Sequence, residues 1–226
     1  MQDVKKETMA SCCVNKICNL IIEGKLLPGE KIKGDYIKNL LAVGLSPIRE
    51  ALSRLVNTGL VESIDNVGFR VAHITRNGLY DYYKSYAKIE VLIFKEAIEC
   101  GREDWESNIV AALYRLSKIE KPEIKVSYEV WAVQNEDFHQ ALISGCPLNG
   151  LKNIRDNFML LKEWYNNLAY GHLKGDLINV NHSEHSKIVK LALDRKIDSA
   201  CSLLYQHTMH GLESLVLSLE RLGYIV

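Results

Sequence analysis

The chain has 226 residues, 47% hydrophobic and 25% charged, and its 28 basic and 28 acidic side chains cancel. That composition is ordinary for a globular protein with length for more than one core, and the balanced charge excludes a polybasic or polyacidic chain. No stretch approaches the roughly 18 consecutive apolar residues that span a bilayer, and no signal-peptide core follows Met1-Gln2-Asp3-Val4-Lys5-Lys6, so a cytoplasmic protein that engages no membrane is expected.

The first helix is carried by Ile17, Leu20, Ile21 and Ile22, and it should stop near Gly24 because Pro28-Gly29 forms a turn. Ile37, Leu40 and Leu41 make a short second helix. Val43-Gly44-Leu45-Ser46-Pro47 then reads as a turn and a helix start, with Ser46 as the cap and Pro47 in the first turn, where its missing N–H costs nothing. In the third helix Ile48, Leu52, Leu55 and Val56 keep helical spacing, and Arg49, Ser53 and, nearer the rim, Arg54 occupy the opposite face. Asn57-Thr58-Gly59 ends that helix. Two β-prone runs, Leu60 to Ile64 and Phe69 to His73, flank the turn Asp65-Asn66-Val67-Gly68 and read as a hairpin.

Short helices running into a small hairpin are the order of a winged helix-turn-helix, so double-stranded DNA is the expected partner of residues 1–76. That stretch holds eleven Lys and Arg against eight Asp and Glu, a small surplus of the sign that phosphate contact requires. Lys31, Lys33, Lys38, Arg54 and Arg70 are candidates for phosphate contacts. Arg49 is the candidate to reach a base, because a bidentate arginine–guanine contact is the commonest specific readout and is worth about 1–3 kcal/mol. Ser46, at the helix start, and Gly68, in the wing, complete the expected DNA-facing set.

These residues resemble the GntR family of bacterial transcriptional regulators. The family's recurring text is a Pro-Gly-Glu turn, a Leu-Ala type second helix, a Pro-Val-Arg-Glu-Ala-Leu recognition helix, a Gly-Leu-Val strand and a Gly-x-x-Val wing. This chain has Pro28-Gly29-Glu30, Ile37 and Leu41, Pro47-Ile48-Arg49-Glu50-Ala51-Leu52, Gly59-Leu60-Val61 and Gly68-Phe69-Arg70-Val71 at matching spacing. Two departures stand out. Before the proline the family usually has Ser-Arg-Thr, where this chain has Gly44-Leu45-Ser46, and the arginine that commonly precedes the wing glycine is Val67 here. The resemblance therefore implies a head that lacks two customary DNA contacts and relies more on DNA shape.

Ile74-Thr75-Arg76-Asn77-Gly78 is a short polar joint and the expected boundary between residues 1–76 and 77–226. Beyond it Tyr82, Tyr86, Ile89, Ile93 and Ala97 keep helical spacing. Further helices are predicted over Trp105 to Ile119, Ser127 to Ser144, Leu148 to Tyr170, Asn181 to Asp194 and Ile197 to Leu222. Gly101, Lys121-Pro122, Gly145-Cys146-Pro147 and the Gly171 to Gly175 segment mark the breaks. The expected fold is mainly α: a winged head followed by an all-α antiparallel bundle. Cys12, Cys13, Cys18, Cys100, Cys146 and Cys201 show no C-x-x-C pair and read as reduced thiols in helices, with Cys12-Cys13 the pair open to oxidation.

Asn135 and His139 are four apart on one predicted helix and share a face, while His185 and His207 lie on later helices. Three histidines from three helices, with an oxygen donor one turn before the first, suit a divalent metal such as Zn, Ni, Fe or Cu. His182 and His210 sit three residues from His185 and His207, so spacing alone leaves open which of each pair points inward. One GntR subgroup, named after the regulator of fatty acid metabolism, carries an all-helical ligand-binding domain called FCD. Its metal-binding members show Asp-x-x-Phe-His, then Glu-His, then a histidine on the last helix. This chain is similar: Asn135-Glu136-Asp137-Phe138-His139, Glu184-His185 and His207. The resemblance implies His139, His185 and His207 as ligands of Zn or Ni, with Asn135 giving a neutral carbonyl where the family has a carboxylate. His73, His172, His182 and His210 are left without a functional role.

In that family the domain holds an anionic metabolite, such as an organic or sugar acid. The arginine that metal-binding members often carry one turn before the position of Glu90 is absent, since Tyr86 and Ala87 occupy that region, and Arg155 is the candidate substitute. Trp164, Tyr165 and Tyr170 either line the pocket or belong to the core. The reading is a homodimeric, ligand-responsive regulator at a palindromic operator. Its alternatives are a metal-dependent helical enzyme and a regulator whose effector domain binds ligand without metal.

Overall fold

The computed structural model describes residues 8–121, 124, 126–171 and 182–226. They form two compact units. The first combines Met1–Arg76 with Met159–Leu168 and Leu219–Val226, and the second combines Asn77–Phe158 with Ala169–Ser218. No helix among the described residues is long and apolar enough to cross a membrane.

In the first unit α1 (Met9–Ile22) begins well before the apolar stretch that announced it, because the Thr8 side chain accepts a hydrogen bond from the Ser11 amide and supplies the N-cap. It buries Cys13, Ile17, Cys18 and Ile21. α2 (Gly34–Leu41) buries only Ile37, and α3 (Leu45–Val56) buries Ile48, Ala51, Leu52 and Leu55; both α1 and α2 pack on α3. α3 starts at Leu45 with Gly44 as N-cap and no side-chain cap, so Ser46 does not cap the helix. Pro47 still falls in the first turn, whose amides have no partner inside the helix.

β1 (Val61–Ile64) and β2 (Gly68–Val71) pair antiparallel, with Val61 opposite Val71 and Ile64 opposite Gly68. Both strands are shorter than predicted. The Pro28-Gly29-Glu30 turn lies along the hairpin: Gly29 N donates to Val71 O, Ile32 N to Phe69 O, and Val71 N to Glu30 O. Gly29 has φ of 75°, and a Cβ there would stand 2.9 Å from His73 Nε2, so both backbone and space require glycine. The C-terminal residues also join this unit: Val226 N donates to Ile74 O, and Arg76 pairs with Glu220. The first unit therefore takes chain from beyond residue 76.

Among the described residues six further helices follow: α4 (Arg76–Cys100), α5 (Glu103–Ile119), α6 (Tyr128–Ile143), α7 (Asn149–Tyr170), α8 (His182–Leu193) and α9 (Ile197–Arg221). α4 absorbs Arg76 to Gly78, so the predicted polar joint is partly helical. Ser127 caps α6 by accepting from Val130 N. The predicted start of α8 at Asn181, like His172, lies outside the described residues. The core of the second unit is built from Phe94, Trp105, Leu116, Phe138, Ile188 and Leu204 among others, and Trp105 Nε1 donates to Leu142 O at 3.0 Å. All six cysteines are free. Cys13 is buried and its thiol is pushed up by that burial and by Cys12, whereas Cys100 is the exposed thiol.

Candidate metal centre and DNA-facing surface

His139 on α6, His185 on α8 and His207 on α9 converge in the second unit, each buried, and offer ligand atoms that lie within 4.8 Å of one another. The convergence follows from local sequence. On α6, Phe138 and His139 precede Ala141 and Leu142 on the buried side; on α8, His185 heads the buried set Ile188, Val189 and Ala192. Each histidine occupies a core position of its helix. The rings are close, with centroids 4.8 Å apart for His185 and His207 and 5.5 Å for His139 and His207.

Each imidazole has a carboxylate near Nδ1, hydrogen-bonded for His207 and His185 and at ion-pair distance for His139. His207 Nδ1 is 2.8 Å from Glu184 Oε2, His185 Nδ1 is 3.2 Å from Glu120 Oε2, and His139 Nδ1 is 3.5 Å from Glu90 Oε1. A neutral imidazole that gives its Nδ1 proton to a carboxylate leaves Nε2 as a lone-pair donor, which is the arrangement that orients metal-binding histidines. His185 Nε2 is buried without a hydrogen-bond partner, and so is Asn135 Oδ1, one helical turn before His139. Buried acceptors without partners are costly, and a divalent cation satisfies them. The three converging imidazoles therefore fit a divalent transition-metal ion. Asp137 is exposed, off this face.

Glu120 was not singled out by the sequence, and it organises the most. Its side chain is fully buried, contacts both His185 and His182, and accepts from Trp131 Nε1 at 3.1 Å. Burial raises its pKa, but the hydrogen bond and charge of His185, with the hydrogen bonds of Trp131 and His182, outweigh burial and hold it below the ordinary value. Glu184 likewise bridges His207 and the exposed His210. His182 and His210 thus belong to the outer side of two carboxylates. Glu120→Gln is expected to weaken divalent-ion affinity about 10- to 100-fold while preserving helix content; competition with a chromogenic chelator measures it, and wild-type affinity in that variant would remove Glu120 from the orienting role.

Arg155, predicted as an anion partner, is wholly buried. Its Nε lies 2.8 Å from Glu90 Oε2 and its Nη2 lies 2.8 Å from Glu136 Oε1 and 3.4 Å from the Tyr86 hydroxyl. Burial disfavours the charge, but the carboxylates of Glu90 and Glu136 hold Arg155 protonated with its pKa raised. Tyr86 is also buried, and burial and the Glu90 charge push its pKa well up, so it is a neutral donor. Nη1 of Arg155 has no hydrogen-bond partner. A chain of contacts therefore runs from Arg155 through Glu90 to His139. Glu90 was legible as a charge in register with Tyr86, Ile93 and Ala97 on the buried side of α4. Trp164 and Tyr165 belong to the first unit and the three histidines to the second, in which Tyr170 packs on Tyr128.

On the head, Lys31, Lys33, Lys38, Ser46 and Arg49 are exposed. Lys33 is the N-cap residue of α2 and Lys38 stands in its last turn. Arg54 is exposed but engaged, bonded to Glu50 Oε1 and to Ser11 Oγ at 3.2 Å, so a phosphate there competes with an internal ion pair. Arg70 is half-buried beside Lys31, with its Nε buried and unpartnered. Gly68, at φ of 106°, is exposed in the wing.

A winged-helix head joined to an all-helical unit with a buried histidine cluster defines a two-domain DNA-binding regulator. The family of bacterial regulatory proteins, gntR family, matches residues 13–71, and the FCD domain family matches residues 81–210. The chain belongs to the GntR-type transcriptional regulators with an FCD domain. It is 29% identical over 194 residues to the HTH-type transcriptional repressor GlaR of Escherichia coli (strain K12), covering 84% of this chain and 88% of that protein. It is 28% identical over 190 residues to the HTH-type transcriptional regulator BphR of Paraburkholderia xenovorans (strain LB400), covering 83% and 77%. The structure of E. coli McbR/YncC shares the fold, with a TM-score of 0.70 at 14% identity over 93% of this chain and 98% of that one. The protein is a transcriptional regulator and not an enzyme, which disposes of the metal-dependent enzyme reading.

Proposed function

We propose that the protein is a cytoplasmic homodimer that binds a palindromic operator through its two winged heads and responds to a small organic or sugar acid bound in the helical domain beside a divalent metal ion, Zn or Ni. In this reading His139, His185 and His207 hold the ion with Asn135. Arg155 Nη1 and the Tyr86 hydroxyl meet the effector. The observation that carries it is the convergence of three buried histidines, each with a carboxylate near Nδ1. The partnerless Nη1 of a buried arginine supports a small acceptor group in the effector.

The start of α3 enters a major groove, the wing at Gly68 meets the backbone, and Lys31, Lys33, Lys38 and Arg70 contact phosphates. Effector and operator are then linked: whatever factor the effector changes in DNA affinity, the operator changes in effector affinity. Arg49→Ala is expected to abolish the specific electrophoretic shift of the protein's own promoter region while circular dichroism remains unchanged. Undiminished affinity would remove Arg49 from base reading. A thermal-shift screen of the metal-loaded protein against small organic acids tests the effector class, and sedimentation tests the dimer.

A further inference from the structure

Base recognition in a helix-turn-helix falls to the first residues of its second helix. In α3 that set is small. Ile48 is buried and Pro47 half-buried, which leaves Leu45, Ser46 and Arg49 open to a groove. Ser46 and Arg49 are polar, as a reading face requires. Leu45 is not, yet it is the first residue of the helix and remains 38% exposed.

The surroundings of Leu45 keep it in place without covering it. A Cβ on Gly34, the first residue of α2, would lie only 3.3 Å from Leu45 Cδ2. One side of the isopropyl group therefore rests against a residue that has no side chain, and this contact restricts its rotamers. The rest of the side chain is open to solvent, and Arg49 follows one helical turn later.

A leucine in the major groove has no hydrogen bond to offer. Set against guanine O6 and N7 or cytosine N4 it would desolvate polar groups without replacing their partners, which is unfavourable. The one apolar group in that groove is the C5-methyl of thymine. We propose that Leu45 is a specificity-determining residue that packs on a thymine methyl group next to the base read by Arg49. Each operator half-site then carries an A·T pair at a fixed position. This rests on the DNA-reading function proposed above and narrows it to one base pair.

The test uses the full chain. An operator is selected from a pool of randomised duplexes, and each thymidine is then replaced singly by deoxyuridine, which removes the methyl group and leaves the hydrogen-bonding edge intact. Loss of one buried methyl is expected to weaken wild-type binding about fourfold at one position in each half-site. L45A is expected to bind thymidine and deoxyuridine duplexes equally at that position, with its helix content unchanged. Two outcomes overturn the proposal alone: specific wild-type binding indifferent to every such replacement, or L45A retaining the wild-type sensitivity. Failure to enrich any sequence overturns it together with the DNA-reading function.

Discussion

Replacing Arg155 by methionine is expected to destabilise the protein by about 3–5 kcal/mol, the usual consequence of removing one partner from a buried ion pair. The substitution keeps most of the volume, so packing is not the main loss. What changes is electrostatic. Glu90 is 1% exposed and faces Arg155 at 2.8 Å, and without the guanidinium its carboxylate is left as a buried charge whose nearest remaining polar groups are Tyr86 and His139. Glu136 also loses its 2.8 Å contact, but it is half-buried and is relieved by solvent. A fall in the urea unfolding midpoint measures the effect. The double variant R155M/E90Q is expected to be more stable than R155M, because glutamine carries no charge into the interior. If R155M matched the wild type, the Arg155–Glu90 pair would have no part in holding the helical unit together.

Replacing His185 by alanine is expected to abolish divalent-ion binding. His185 is 0% exposed, is the α8 member of the histidine cluster, and has Nε2 buried without a hydrogen-bond partner. Two imidazoles of the cluster would remain. The wild type, saturated at about 100 times its Kd with Zn or Ni, should gain about 2.7 kcal/mol of stability, and H185A should gain none. Elemental analysis of protein purified without chelator reads the same property. A wild type free of any divalent ion would sink the metal reading and leave the histidines as core residues paired with Glu90, Glu120 and Glu184.

Local patterns were legible where one short stretch of chain decides the outcome. The turn at Pro28-Gly29, the apolar face of α3 and the hairpin are all set by nearest neighbours along the chain, and each appears where the pattern puts it to within two residues, Gly68 opening β2 instead of closing the turn. Helix starts were less legible. Thr8 extends α1 and Gly44 caps α3, because a cap depends on backbone geometry that apolar spacing does not register.

The amino-acid sequence by itself determined the class of protein: a winged head with two customary arginines replaced, followed by helices carrying three histidines in a recurring register. The tertiary structure decided the partners. Glu120 reaches His185 across 65 positions of chain, and Arg155 reaches Glu90 across the same span. It also joined Met159–Leu168 and Leu219–Val226 to the first unit, which no local boundary signal announces. The physical reason is the range of the interactions. Periodicity, turns and motifs act over one or two helical turns, whereas which buried charge meets which histidine is settled only when separate helices pack and every buried polar group must find a partner.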